Sequence, residues 1–231
     1  MTREDFIKTV RVPMPGVLKG IKLNYSPLQE SVIKSFDKGE NFILISPRQS
    51  GRSTSIILNL IYDLFSNTCW NDTIVISRTM HDNMMILLKI KEIIQLNSFI
   101  NNITIKRNMI TNGRQKIHFK TANAVDKMTS DERLGKRLVV SDAAFIPDGN
   151  PYISMLEGWD AIIMETVAGP TNKFNSIFLK NLIDFKGVGM FNIIKYTWKK
   201  LGFSKKWFDT QKKLFGKNKN IFKREILLKW V

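Results

Sequence analysis

An apolar run from Phe42 to Ser46 reads as a short buried strand, and the Pro- and Gly-containing stretch after it reads as a turn. From Arg52 to Phe65 apolar residues recur at helical spacing, at Ile56, Ile57, Leu60, Ile61 and Leu64. The order is therefore strand, glycine-containing turn, helix. Thr73 to Ser77 predicts a second buried strand, followed by a helix from Met80 to about Gln95. Asn112 and Gly113, between two strand-like runs, predict a β-hairpin. Three further short apolar runs follow, RLVVSD, AIIMET and NIIKYTW, before two helical stretches at about Lys205 to Phe215 and Asn220 to Lys229.

Strands alternating with helices or long connections imply an α/β fold with a mostly parallel sheet covered on both faces. Ligands of such sheets bind outside the carboxyl ends of the strands. The polar residues at those ends are Ser46, Ser77, Ser141 with Asp142, Thr166 and Trp198. The last helical stretches predict a small terminal subdomain.

Composition narrows the setting. With 231 residues and 43% hydrophobic content the chain can bury one substantial core. Its single cysteine, Cys69, excludes an intrachain disulfide and a cysteine-based zinc site, which fits a reducing, intracellular setting. The charged N-terminus does not resemble a signal peptide, and no apolar segment is long enough to span a bilayer, so the expectation is a soluble protein without a membrane partner. The net charge of +16 favours a polyanionic partner. From Lys195 onward, eleven Lys and one Arg stand against Asp209 and Glu225, so this stretch alone carries +10. The lysines there, among them Lys205, Lys206, Lys212 and Lys213, read equally as a solvated face or as phosphate contacts. The interspersed aromatics read as core.

The segment SPRQSGRST, Ser46 to Thr54, resembles a phosphate-binding loop altered at two defining positions: Ser46 stands for the first Gly and Arg52 for the Lys. Gly51 permits close backbone approach, Arg52 supplies a cation, and Ser53 supplies a hydroxyl at the spacing that ligates Mg²⁺. A guanidinium is bulkier than an ammonium and forked, so this exchange is not conservative. An ordinary strand-turn-helix connection is the plainer alternative. Asp142 is positioned to orient a water on the γ-phosphate or to hold Mg²⁺ through water, or else to cap the following turn.

The order of these segments resembles the ATPase domain of the large terminase subunit, the motor that packages DNA into tailed-phage and herpesvirus capsids. The residues Arg48, Gln49, Gly51 and Ser53 match its Walker A loop, and RLVVSDAAFIP is similar to its Walker B stretch. The hairpin TNGRQKIHF and the segment IIMETVAGPTNKF are similar to its N-G-S-x-I segment and its coupling motif, and WFDTQKKLFGKNKNIFKREILLKWV resembles the end of the domain. The match runs from about Tyr25 to the C-terminus. It implies a P-loop NTPase fold of the ASCE type, with a core over 1–190 and a basic helical lid or linker over 191–231. Residues 1–20 are expected to pack with that lid, and the family's nuclease domain is expected to be absent. The resemblance further implies ATP and Mg²⁺ as cofactors, with adenine held by Tyr25 and Gln29. The phosphates would lie on Arg48, Gln49, Ser50, Gly51, Arg52, Ser53 and Thr54. Mg²⁺ would lie near Ser53 and, through water, near Ser141 and Asp142. Asp142 would act on the attacking water, Thr166 would couple nucleotide state to movement, and Arg48 would either contact the γ-phosphate or be structural. The implied partners are duplex DNA, a portal or procapsid, the small terminase subunit and further copies in a ring, in the host-cell cytoplasm.

The sequence departs from the family at the hydrolytic centre. Ser141 occupies the Walker B Asp position and Asp142 the catalytic Glu position. With Arg52 these changes predict weakened hydrolysis, and reversion of Arg52 to Lys with Ser141 to Asp is expected to raise the rate. Two functions follow: a Mg²⁺-dependent packaging ATPase, or a catalytically impaired nucleotide- or DNA-binding assembly or regulatory component. A helicase-like motor is more distant.

Overall fold

In the computed structural model the described residues are 1–23, 25–67, 72–147, 156–216 and 218–231; Cys69 lies outside them. The strands are β1 (Arg11–Met14), β2 (Val17–Lys22), β3 (Phe42–Ile45), β4 (Asp72–Ser77), β5 (Thr104–Ile105), β6 (Met109–Thr111), β7 (Lys116–Thr121), β8 (Lys136–Ser141), β9 (Ala161–Thr166) and β10 (Asn192–Lys195). The helices are α1 (Arg3–Thr9), α2 (Pro27–Lys38), α3 (Arg52–Ser66), α4 (Met80–Leu96), α5 (Ala122–Asp126), α6 (Ser130–Arg133), α7 (Phe174–Asp184), α8 (Lys205–Leu214) and α9 (Lys219–Glu225).

The central strands β3, β4, β8 and β9 are apolar runs because both their faces are covered. Along β3, Phe42 and Leu44 enter one core with α1 to α4, while Ile43 and Ile45 enter the other with α5 and α7. Successive strand side chains point to opposite faces, so one run feeds two layers. Among the described residues the sheet order is β10-β3-β9-β8-β4-β7-β6-β5, parallel from β10 to β7 and antiparallel across β6 and β5. The fold is α/β, a mainly parallel sheet with helices on both faces.

The predicted hairpin is β6–β7. Asn112 Oδ1 accepts from the backbone N–H groups of Arg114 and Gln115 at 3.0 and 2.8 Å, which fixes its turn. Residues 1–20, expected against the C-terminal helices, are placed on α3 and α4: Phe6 stacks on Phe65 with ring centroids 5.4 Å apart, and β1 packs on α4. The edge strand β10 comes from residues beyond 190. The final helix ends at Glu225 rather than near Lys229, because the chain turns through Leu228 at φ 53° to bury Ile226 and Leu228. Aromatics of the last segment pack on one another, Trp198 on Phe208 and Phe208 on Phe222. No helix of the described residues is long and apolar enough to cross a membrane.

Candidate nucleotide site

Parallel pairing of β3 with β9 and β9 with β8 brings three strand ends together, those of Ile45, Thr166 and Ser141. The loop after β3 turns through Gln49 at φ 64° and Gly51 at φ 80° before α3 starts at Arg52. A side chain resists the left-handed conformation of Gly51, and a Cβ there would press on Gln29 Nε2 at 3.4 Å. The first-turn N–H groups of α3 have no carbonyl to reach within the helix, and no acid occupies that turn. A helix start of this kind attracts anions. It opens into a cavity of 290 Å³ lined by residues 47–54, Lys89 and Asp142.

Arg52 does not extend freely into this cavity. Its Nε–H donates to Glu165, Nη1 donates to the Ser46 carbonyl at 2.9 Å, and Nη2 donates to Asp142 Oδ1 at 3.1 Å. Glu165 was not among the residues singled out from the sequence. Its carboxylate, 1% exposed, also accepts from Ser53 Oγ at 3.0 Å and Ser141 Oγ at 2.6 Å. Ser141 and Glu165 are register partners on β8 and β9, so a buried carboxylate stands one strand away from the Ser141 hydroxyl. The available signal was a Glu inside an otherwise apolar run, because a buried charge requires a partner.

Burial pushes the Glu165 carboxyl upward, but the Arg52 charge and the bonds from Ser141, Arg52 and Ser53 outweigh it and hold it below the usual range. The Asp142 carboxyl is raised to about 6, by desolvation first and by Glu165 second. Asp142 adopts φ 50° at the start of a short 3₁₀ turn but makes no side-chain cap there, so its carboxylate serves Arg52 rather than the turn.

The remaining sequence-derived residues divide. Ser50 Oγ lies 2.7 Å from Ser46 Oγ within the loop, and Thr54 Oγ1 accepts from Lys89 Nζ at 2.6 Å. Arg48 pairs with Glu225, and its N–H donates to the Glu225 carbonyl at 2.9 Å; Gln49 Oε1 accepts from Gln211 at 3.3 Å. Thr166 is fully buried behind the cavity: its Oγ1 accepts from Ala144 N–H at 3.2 Å, and its carbonyl accepts from Ser46 N–H at 3.4 Å. Close by, Gly169 permits the approach of α7, since a Cβ there would fall 2.2 Å from Ser176 Oγ. Gln29 is buried beneath the loop, donating to Ser55 Oγ at 3.0 Å. Tyr25 packs on the core with Lys8 Nζ 4.7 Å from its ring centroid, and neither Gln29 nor Tyr25 lines the cavity. Lys205, Lys206, Lys212 and Lys213 are all exposed on α8, away from this site's lining. Lys89 had no sequence signal; it reads as one polar position on an amphipathic helix.

The residues present fit a magnesium ion. Ser53 donates its proton to Glu165 and so keeps oxygen lone pairs for a cation, with Asp142 beside it. Mg²⁺ at phosphate sites takes one or two carboxylates, with substrate oxygens and water completing the shell.

A parallel sheet whose strand end passes through a glycine turn into an anion-attracting helix start is shared by P-loop and dinucleotide-binding folds, and likeness to solved structures puts this fold in the P-loop class. Within that class the chain has the fold of large terminase ATPase domains. It resembles the crystal structure of the HK97 bacteriophage large terminase with a TM-score of 0.74 and 12% identity over 99% of this chain and 54% of that one. The large terminase of a thermophilic bacteriophage in complex with ADP gives 0.63 and 11% over 90% of this chain and 54% of that one. The Thermus phage P74-26 large terminase ATPase domain gives 0.59 and 17% over 90% of this chain and 96% of that one. The chain spans about half the length of the first two of these terminases. No family model and no curated protein matches it by sequence.

Proposed function

We propose that the chain is a terminase-like ATPase domain that binds Mg·ATP at the loop from Arg48 to Thr54. It would bind duplex DNA and drive viral DNA into procapsids, with weakened hydrolysis. The observation carrying this reading is the convergence of Ser53, Arg52 and Asp142 on one cavity at the strand ends, with the buried Glu165 carboxylate bonded to Ser53 and Arg52 behind it. Bound Mg²⁺ would neutralise charge on the outer phosphates, held near Ser53 and, through water, near Asp142 and Ser141. Asp142, half-exposed at the cavity wall, is the group to orient the attacking water and accept its proton. Thr166 bonds both to the segment after β8 and to the loop, which suits a coupling role. The exposed lysines of α8 would contact DNA phosphates, and a portal, small subunit and ring of copies would complete the motor in the host cytoplasm.

Arg52 favours the second reading, a nucleotide- or DNA-binding assembly component without turnover, because three of its five N–H donors are already committed inside the protein. Thermal unfolding and ATP hydrolysis, with and without duplex DNA, separate the two. Nucleotide at about a hundred times its Kd should stabilise the fold by about 2.7 kcal/mol. Slow turnover that Asp142→Asn abolishes supports the ATPase, and binding without turnover supports the second reading. An unchanged melting temperature with no calorimetric binding of nucleotide would reject the nucleotide site in both readings and leave only a DNA-binding component.

A further inference from the structure

We propose that Lys89 of α4 is the phosphate-contacting cation of this cavity, taking from a different element the role that Arg52 cannot perform from the loop. The inference rests on the loop being a nucleotide phosphate site. A phosphate cradle needs, besides backbone N–H groups, a cation that reaches the outer phosphate oxygens. Each nitrogen of Arg52 already donates within the protein, to Glu165, Ser46 and Asp142, and the residue is only 9% exposed. Those three bonds use three of its five N–H groups and fix the planar guanidinium on a buried carboxylate, so swinging it onto the outer phosphates means breaking them. Arg48, the other cation of the loop, is paired with Glu225.

Lys89 differs from both. The residue lines the cavity, and its Nζ donates to a neutral hydroxyl of another lining residue, Thr54 Oγ1, at 2.6 Å. Among the described residues its ammonium forms no ion pair. Thr54 lies in the first turn of α3, so the ammonium sits beside the N–H groups that face an incoming anion. Burial disfavours the charged form of Lys89, with Glu165 and then Glu92 opposing that effect from a distance. A phosphate would supply the counter-charge that its present partner does not. Lysine binds phosphate as a mobile point charge on a long stem, so reaching in from a neighbouring helix suits it.

The test compares the native chain with Lys89→Met and Lys89→Arg by calorimetric titration of Mg·ATP and of magnesium tripolyphosphate, with ligand-free melting temperatures recorded. The expected result is a Kd raised by roughly tenfold or more in Lys89→Met for both ligands, unchanged folding, and substantial recovery in Lys89→Arg. Equal affinity of native and Lys89→Met protein would overturn the proposal and leave the nucleotide site intact. Absence of binding by the native chain would overturn the site itself and this inference with it. A measurement without variants guards against a folding defect: saturating Mg·ATP should slow amine-directed labelling of Lys89 in the native protein, read by peptide mass. An unchanged labelling rate at saturation counts against the contact.

Discussion

Glu165→Gln is the most informative single substitution, because the side chain keeps its volume and loses only its charge. The Gln carbonyl can still accept from Ser53 and Ser141, but its amide N–H groups then face the Arg52 Nε–H, donor against donor. Removing one partner of a buried ion pair costs about 3–5 kcal/mol. Arg52 keeps the Ser46 carbonyl and Asp142, which places the loss at the lower end, about 3 kcal/mol. With a urea slope of about 2 kcal/mol/M, the unfolding midpoint should fall by about 1.5 M at unchanged slope. Arg52→Met alone strands the Glu165 charge, whereas the double substitution removes both charges. The double-mutant cycle should therefore show a coupling above about 1 kcal/mol. Loss of the Glu165 charge should also draw the Asp142 titration down from about 6, observable by carbon-13 NMR of the carboxyl. A cost below about 1 kcal/mol, or strict additivity in the cycle, would show that the ion pair does not organise the site.

The same geometry revises the reversion suggested by sequence. Ser141→Asp sets a carboxylate against Glu165 where a 2.6 Å hydrogen bond now lies, so it should destabilise the fold, whereas Ser141→Asp with Glu165→Ser should regain stability in urea. Adding Arg52→Lys to that pair should raise kcat roughly tenfold if hydrolysis is limited by the rearranged charges; a rate unchanged at full nucleotide binding excludes this. Hydrolysis should rise as pH increases through about 6, because Asp142 acts as a base only when ionised, and Asp142→Asn should flatten the profile by removing the rate. Charge reversal at Lys205, Lys206, Lys212 and Lys213 should reduce the dependence of duplex-DNA affinity on salt; an identical slope assigns them to solvent.

Legibility followed the range of the forces involved. Apolar runs such as Phe42–Ile45 and Ala161–Thr166 declare buried strands by themselves, and Asn112–Gly113 declares a turn, because each signal is local. The hairpin β1–β2 gave no such pattern: most of β2 is exposed, and its apolar residues do not alternate with polar ones. The strand-turn-helix around Gly51 and the place of Asp142 just after β8 were legible from motif order. The pairing of Ser141 with Glu165 depends on the register between β8 and β9, which no spacing along the chain encodes. Lys89 reaches Thr54 only through the packing of α4 on α3, so its position is a tertiary fact.

The contacts of Arg48 and Gln49 with Glu225 and Gln211 have a mechanical meaning. They attach the loop to the last helices at two points, one through the backbone and one through side chains. The exposed basic helix α8 is thereby joined, through Gln211, to the residue where the loop is left-handed. Rotation of the C-terminal helices would therefore be expected to pull on Gln49 and Arg48, while the apolar face of α3 stays packed in the core.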